Sequence, residues 1–419
     1  MNLKKAIFLT AWLATTAFAQ DYQGLNLDFK SLIPNAGVGK LSEQSYCFQD
    51  QKGVHGHQVD KLQRIASVTK VISTYFASET LDLKKQYETK VYISEDRVHI
   101  SGSLDPYFEE EKMLILMKAL NERGFKNFKT LTFDSQFKFY DISLQTHQEI
   151  TGADTKARLQ AYLNAKSIPL VKQKWNSISK FAAEEGVEMD KNSPPSLVVQ
   201  LIELKESNPL ANSSPQVLIH RSRPLHHLLK AMNVMSKNYL AQNIFKEASR
   251  TKSFNQLLLE AQINPETIKI YNGSGLPVKN GDTRKDNLAS CRTVIKIVDL
   301  LIRSLKKHDL DLSDVLAVNG GKDLGSFRER FLNYPETHEA VLSKTGTLMH
   351  ASTLAGALLM TEKLPFAILN QTTNIKNAKK FQDRFVARMF DQLGHPAPMV
   401  YEKISIFPWQ GDDFLTENY

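Results

Sequence analysis

The chain has 419 residues, 42% hydrophobic and 23% charged, with 15 Pro and 19 Gly. These proportions exclude a disordered, collagenous or low-complexity protein, and the length allows two or three domains with a sizeable core. Its 53 Lys+Arg against 45 Asp+Glu leave a formal charge of +8; the basic residues are scattered, which fits mild attraction to an anionic polymer and gives no footprint for nucleic acid.

At the start, Lys4 and Lys5 precede a short apolar stretch over 6–14, and Ala17-Phe18-Ala19 follows as a small-x-small pattern. This predicts a signal peptide over 1–19, cleaved after Ala19. The apolar run is shorter than the roughly 20 residues a bilayer requires, no Cys follows it as a lipid anchor, and no later segment is apolar enough to span. The mature protein is expected to be periplasmic or otherwise secreted, with no integral membrane segment. Export permits disulfides, but Cys47 and Cys291 are the only cysteines. A bridge and two buried thiols look alike in sequence, so their pairing stays open. His55-Gly56-His57 and His226-His227 lack the partners of zinc spacing, so neither metal nor cofactor is expected.

Residues 22–66 read as loop and strand, with turns at Pro34-Asn35 and Gly53. From Ser67 the apolar residues Val68, Val71, Ile72, Tyr75 and Phe76 recur at helical spacing. Residues 90–100 and 130–140 alternate like strands around a helix over 112–120, and a further helix is expected over 170–184. Helical patterns return over 224–248, interrupted at 233–238, and over 293–305. Strands over 340–347, 351–360 and 364–370 then lead to a helix over 378–393. The pattern predicts an α+β chain: an antiparallel sheet with helices, formed by 20–87 and 206–419, carrying a smaller inserted α/β subdomain over 88–205.

Three short motifs occur in order: Ser67-Val68-Thr69-Lys70, Ser236-Lys237-Asn238 and Lys344-Thr345-Gly346. Four other S-x-x-K patterns begin at Ser135, Ser177, Ser249 and Ser304. Only Ser67 opens a helix, where Lys70 shares its face and unpaired backbone N–H groups lie beside the hydroxyl. Ser135 is expected in a strand, which would point its lysine to the opposite face; Ser177 lies inside a helix, and Ser253, which with Asn255 repeats the S-x-N pattern, is explained as an N-cap. A serine nucleophile needs such a base within reach and donors aimed at the developing oxyanion. On a strand Lys344 and Gly346 face one way, and the glycine bares backbone to a ligand.

This motif set resembles that of the penicillin-recognising serine enzymes. Within them the chain is similar to the low-molecular-mass class C penicillin-binding proteins, the type 4 D-alanyl-D-alanine carboxypeptidase/endopeptidase family, over residues 54–382. Gly102-Ser103-Leu104-Asp105-Pro106, Asn272-Gly273-Ser274-Gly275-Leu276, Lys344-Thr345-Gly346-Thr347-Leu348 and Leu354-Ala355-Gly356 carry the similarity further. The resemblance implies a penicillin-binding-protein/serine β-lactamase-like domain with helices on both faces of its sheet. It implies a DD-peptidase acting on peptidoglycan peptides, with β-lactams as covalent inhibitors. Ser67 would be the nucleophile, Lys70 its base and Ser236 the proton relay. Asn238, Lys344, Thr345, Gly346 and Thr347 would bind substrate, with the N–H groups of Ser67 and Thr347 as the oxyanion hole. Departures from the family pattern are Asn272 in place of aspartate, Leu324 in place of aspartate, and a middle section with room for one full inserted subdomain.

Two other readings compete. A serine β-lactamase shares the fold, but the middle section offers no counterpart to the deacylating glutamate. A non-catalytic peptidoglycan-binding protein would not need Ser67, Lys70, Ser236, Asn238 and Lys344 together.

Overall fold

The computed structural model describes residues 22–140, 149–281, 283–409 and 414–417, which build two six-stranded sheets. The expected signal segment over 1–19 lies outside the described residues. The main sheet runs in the order Ala317–Val318, Val341–Leu348, Ala351–Leu359, Lys363–Asn370, Gln44–Asp50, Gly53–His57, every pair antiparallel. Its central strand, Ala351–Leu359, is buried at all positions, because helices cover both faces as expected. Tyr46 packs on Phe385 of the Ile375–Leu393 helix, while its neighbour Cys47 is disulfide-bonded to Cys291 at the start of the Cys291–Lys306 helix. Successive strand residues point to opposite faces, so the two helices flank the sheet. The bridge thus joins the strand next to the sheet edge to a core helix across 244 residues of sequence, and the open question of pairing is answered.

Thr69–Thr80 packs on the Cys291–Lys306 helix. One helix was not expected. Tyr22–Ala36 lies against Ile375–Leu393 and buries Leu25, Phe29 and Ile33, one residue every four. Pro34 reads as a turn in sequence but sits in the last turn of this helix.

The second sheet is ordered Phe414–Glu417, Gln216–Arg221, Glu88–Ser94, Arg97–Ser101, Asn127–Phe133, Val198–Leu204. Its last two pairings are parallel and the others antiparallel. Helices Glu110–Glu122 and Ile168–Glu184 give it a core of its own, with Met113, Met117, Trp175 and Ile178 packed on Val98, Leu131 and Ile202. Gln216–Arg221, which lies beyond the expected 205 boundary, pairs with Glu88–Ser94 and buries Leu218 in the second core. The tail also departs from the main unit. Tyr401 Oη donates to Asp323 at 2.7 Å, Lys403 pairs with Glu185 at 2.8 Å, and Phe407 packs against Phe181 before Phe414–Glu417 joins the second sheet.

Candidate active site

Ser67 occupies a single 3₁₀ turn, Ala66–Val68, that runs directly into Thr69–Thr80. The nucleophile candidate is part-exposed, whereas Lys70 one turn on is fully buried. Two glycines let other segments close on this turn. A Cβ on Gly275 would stand 1.9 Å from the Ala66 carbonyl oxygen, and one on Gly346 would stand 2.9 Å from that of Ile65. The first of these glycines is left-handed, with φ of 85°, so close approach and backbone geometry both demand it. The second shows that the Lys344/Gly346 face of its strand is the one turned to Ser67. Thr353 Oγ1 fixes the same turn by donating to the Ile65 carbonyl at 2.8 Å.

Lys70 Nζ lies 3.2 Å from Ser67 Oγ, 2.8 Å from Asn238 Oδ1 and 2.7 Å from the Ser274 carbonyl oxygen. Burial, and then the charge of Lys344, push the Lys70 pKa well below the ordinary lysine value. The neutral amine has two N–H groups and one lone pair. Asn238 Oδ1 and the Ser274 carbonyl are acceptors only, so they take the two N–H groups. The lone pair is left for the Ser67 hydroxyl, the arrangement a general base requires.

The carbonyl of Ser274 is a partner that motif reading alone did not assign. It is held by Asn272, whose Oδ1 accepts from Ser274 N at 3.0 Å, Ser274 Oγ at 2.9 Å and Gly275 N at 2.8 Å. Here Asn272 supplies the acceptor an aspartate would, and its Nδ2 donates to the Leu276 carbonyl at 2.7 Å. Asn287 then ties this loop to the nucleophile helix, donating to Thr69 Oγ1 and to the Asn272 carbonyl.

Ser236 sits in the turn between Leu225–Val234 and Asn238–Thr251 with φ of 56°. Asn238 opens the second of these helices, and its contact with Lys70 brings the second motif to the first. Lys344 is buried, donates to the Thr345 carbonyl at 2.9 Å, and has its pKa lowered to about 7 by burial and then by Lys379. Thr345 is buried beside it and Thr347 is exposed at the end of the strand. All three motifs therefore converge around Lys70.

The competing serines fall away. Ser135 is not in a strand, correcting the reading of 130–140: the strand ends at Phe133, and Asp134 Oδ1 turns the chain by accepting from the Gln136 and Phe137 N–H groups. Ser249 donates to the Phe245 carbonyl within its own helix, and Ser253 is an N-cap, accepting from Gln256 N.

Residues 198–390 match the family model described as D-Ala-D-Ala carboxypeptidase 3, peptidase S13. That span holds the second and third motifs and the Asn272 loop. Among solved structures, the chain is similar in fold to the Bd3459 predatory endopeptidase of Bdellovibrio bacteriovorus, in complex with immunity protein Bd3460. The TM-score is 0.77 at 24% identity, over 89% of this chain and 99% of that one. A penicillin G-acylated form of the same endopeptidase gives a TM-score of 0.75 at 24% identity, over 89% and 99% of the chains. Penicillin-binding protein 4 of Haemophilus influenzae follows, with a TM-score of 0.54 at 16% identity over 83% of this chain and 96% of that one. No curated protein sequence matches the chain.

Proposed function

We propose that the chain is a serine DD-peptidase that cleaves peptidoglycan stem peptides through a Ser67 acyl-enzyme and is acylated there by penicillin. The observation that carries this reading is Lys70, buried with its Nζ 3.2 Å from Ser67 Oγ and with its pKa pushed well below the ordinary lysine value. The S13 match and the likeness to a peptidoglycan endopeptidase and to penicillin-binding protein 4 support it.

Lys70 takes the Ser67 proton as Oγ attacks the penultimate D-alanine carbonyl. N–H groups of Ser67 and Thr347 receive the oxyanion. The tetrahedral adduct collapses with cleavage of the C–N bond, and Ser236 passes a proton from Lys70 to the leaving amine. Asn238 holds the peptide, while Lys344, Thr345 and Gly346 dock the terminal carboxylate. A carboxylate beside Lys344 restores its proton, so binding strengthens the site's charge only when substrate is present. Water, deprotonated by the same amine, then frees Ser67. No step calls for a metal or cofactor.

The catalytic unit comprises the main sheet and its helices, and residues 88–221 form the inserted unit. Cleavage after Ala19 delivers the mature chain to the periplasm, where peptidoglycan lies; among the described residues no helix is long and apolar enough to cross a membrane.

Fluorescent penicillin tests the assignment. Wild type should carry a long-lived label, Ser67→Ala none, and Lys70→Met should be labelled at least about 100-fold more slowly, as expected for loss of a general base. Label of equal yield on Ser67→Ala would sink the scheme, and rapid drug turnover would favour the β-lactamase.

A further inference from the structure

The second motif has a middle residue whose ammonium belongs to a different part of the molecule. Lys237 stands between Ser236 and Asn238, yet its side chain is ion-paired to Glu109 and lies 3.7 Å from Glu111, both contributed by the inserted unit. Its Nζ sits 4.5 Å above the Tyr107 ring. The three charged side chains are only 5–11% exposed. Burial alone would lower the Lys237 pKa; the two carboxylates overcome it and hold the group well above its ordinary value. Lys237 is thus shifted in the opposite direction to Lys70, which is hydrogen-bonded to the very next residue, Asn238.

The backbone here needs holding. Ser236 is left-handed at φ of 56°, a strained conformation for a residue with a Cβ that persists only when its surroundings impose it. On the far side Asn238 must present Oδ1 to Lys70 at 2.8 Å. One residue between them anchors the turn, and its anchor is Glu109, placed at the N-cap of Glu110–Glu122. That position is itself fixed, because Lys112 on this helix pairs with buried Asp105 at 2.5 Å and Asp105 Oδ1 accepts from Tyr107 N at 2.9 Å.

We propose that Lys237 is a positioning residue for acylation: docked between Glu109 and Glu111, it sets the Ser236 turn and the Asn238 amide against Lys70, making the inserted unit part of the catalytic apparatus. This rests on the peptidase reading of Ser67. The consequence is that the acyl-transfer geometry depends on a contact 128 residues away in sequence.

The test uses the full mature chain and the acylation rate constant at saturating fluorescent penicillin, with thermal melting alongside. Lys237→Met should slow acylation at least about tenfold, since misplacements near 1 Å cost that much or more. Lys237→Arg, which keeps the pair, should stay within about threefold of wild type. Glu109→Gln should fall between them while folding normally, because Lys237 retains Glu111. The Lys237→Met/Glu109→Gln pair removes the ammonium and one carboxylate together, and should recover melting temperature but not rate. Recovery of the wild-type rate in that double variant, or a wild-type rate in Glu109→Gln, would reduce Lys237 to a folding contact and overturn the proposal. A wild type that penicillin does not label would instead remove the peptidase reading, and this inference with it.

Discussion

Lys70 and Lys344 in the Ser67 cluster, and Lys112 and Lys237 beside the start of the Glu110–Glu122 helix, are all largely buried amine groups treated in opposite ways. Lys112 is 1% exposed and sits 2.5 Å from Asp105, which is 2% exposed; Lys237 has Glu109. Lys70 and Lys344 meet only amide, hydroxyl and carbonyl oxygens in their hydrogen bonds. The distinction does not follow the two sheets, because Lys230 in the main unit also has a carboxylate, Asp323 at 2.7 Å. It follows membership of the Ser67 cluster, in which Lys70 lies 3.2 Å from the hydroxyl and feels the charge of Lys344. A paired lysine fixes structure. Burial without a counter-ion pushes the pKa of Lys70 and Lys344 down, the direction that a base, or a site waiting for an anionic substrate, needs.

The largest expected effect comes from breaking a paired site. Asp105→Ala leaves the Lys112 ammonium buried without its counter-ion and removes the acceptor of Tyr107 N. Removing one partner of a buried ion pair typically costs about 3–5 kcal/mol. Urea unfolding of the variant should show a loss of that order. A loss under about 1 kcal/mol would mean that the pair contributes little and that the contrast with the Ser67 cluster is empty.

That contrast was half legible. Ser67, Lys70, Ser236, Asn238 and Lys344 were readable because each lies in a short motif on an element with clear periodicity, and the interruption at 233–238 fell where Leu225–Val234 gives way to Asn238–Thr251. The Lys237 carboxylates were not, since Glu109 precedes it by 128 residues and no local pattern announces a long-range pair. The same holds for Cys47 and Cys291, and for Gln216–Arg221, whose membership of the second sheet depends on pairing with Glu88–Ser94. The Tyr22–Ala36 helix was lost for another reason: Pro34 and Asn35 are turn formers, and only packing of Leu25, Phe29 and Ile33 on the core overrides them. The Ser274 carbonyl is a backbone group, invisible to side-chain motifs altogether.

An intermediate effect, of opposite sign, tests the unpaired side. The Lys344 pKa is about 7 in the folded protein, against about 10.4 for an unperturbed lysine. Between those values the unfolded chain binds the additional proton, so this group makes stability rise with pH. Its penalty is complete below about pH 7 and gone above about pH 10.5. Lys344→Met should therefore raise stability at pH 7 by about 1–2 kcal/mol while weakening binding of carboxylate-bearing ligands. The gain over wild type should shrink steadily as pH is raised toward 10. A variant less stable than wild type at pH 7, or a gain that does not vary with pH, would show that Lys344 is compensated in some other way.

The smallest effect separates burial from pairing as the cause of these differences. Arg292 and Asp60 make a two-pronged pair, with bonds of 2.6 and 3.1 Å, but their side chains are 47% and 67% exposed. Its shorter bond is close in length to the single 2.5 Å bond of Lys112–Asp105. In water, however, the attraction is screened and two long side chains lose freedom to form it, so exposed pairs contribute about 0–1 kcal/mol. Asp60→Ala should change the urea midpoint by less than that corresponding to about 0.5 kcal/mol, and adding salt should erase the difference. If Asp60→Ala proved as costly as Asp105→Ala, hydrogen-bond geometry alone would govern these pairs. The unpaired lysines of the Ser67 cluster would then need an explanation other than burial.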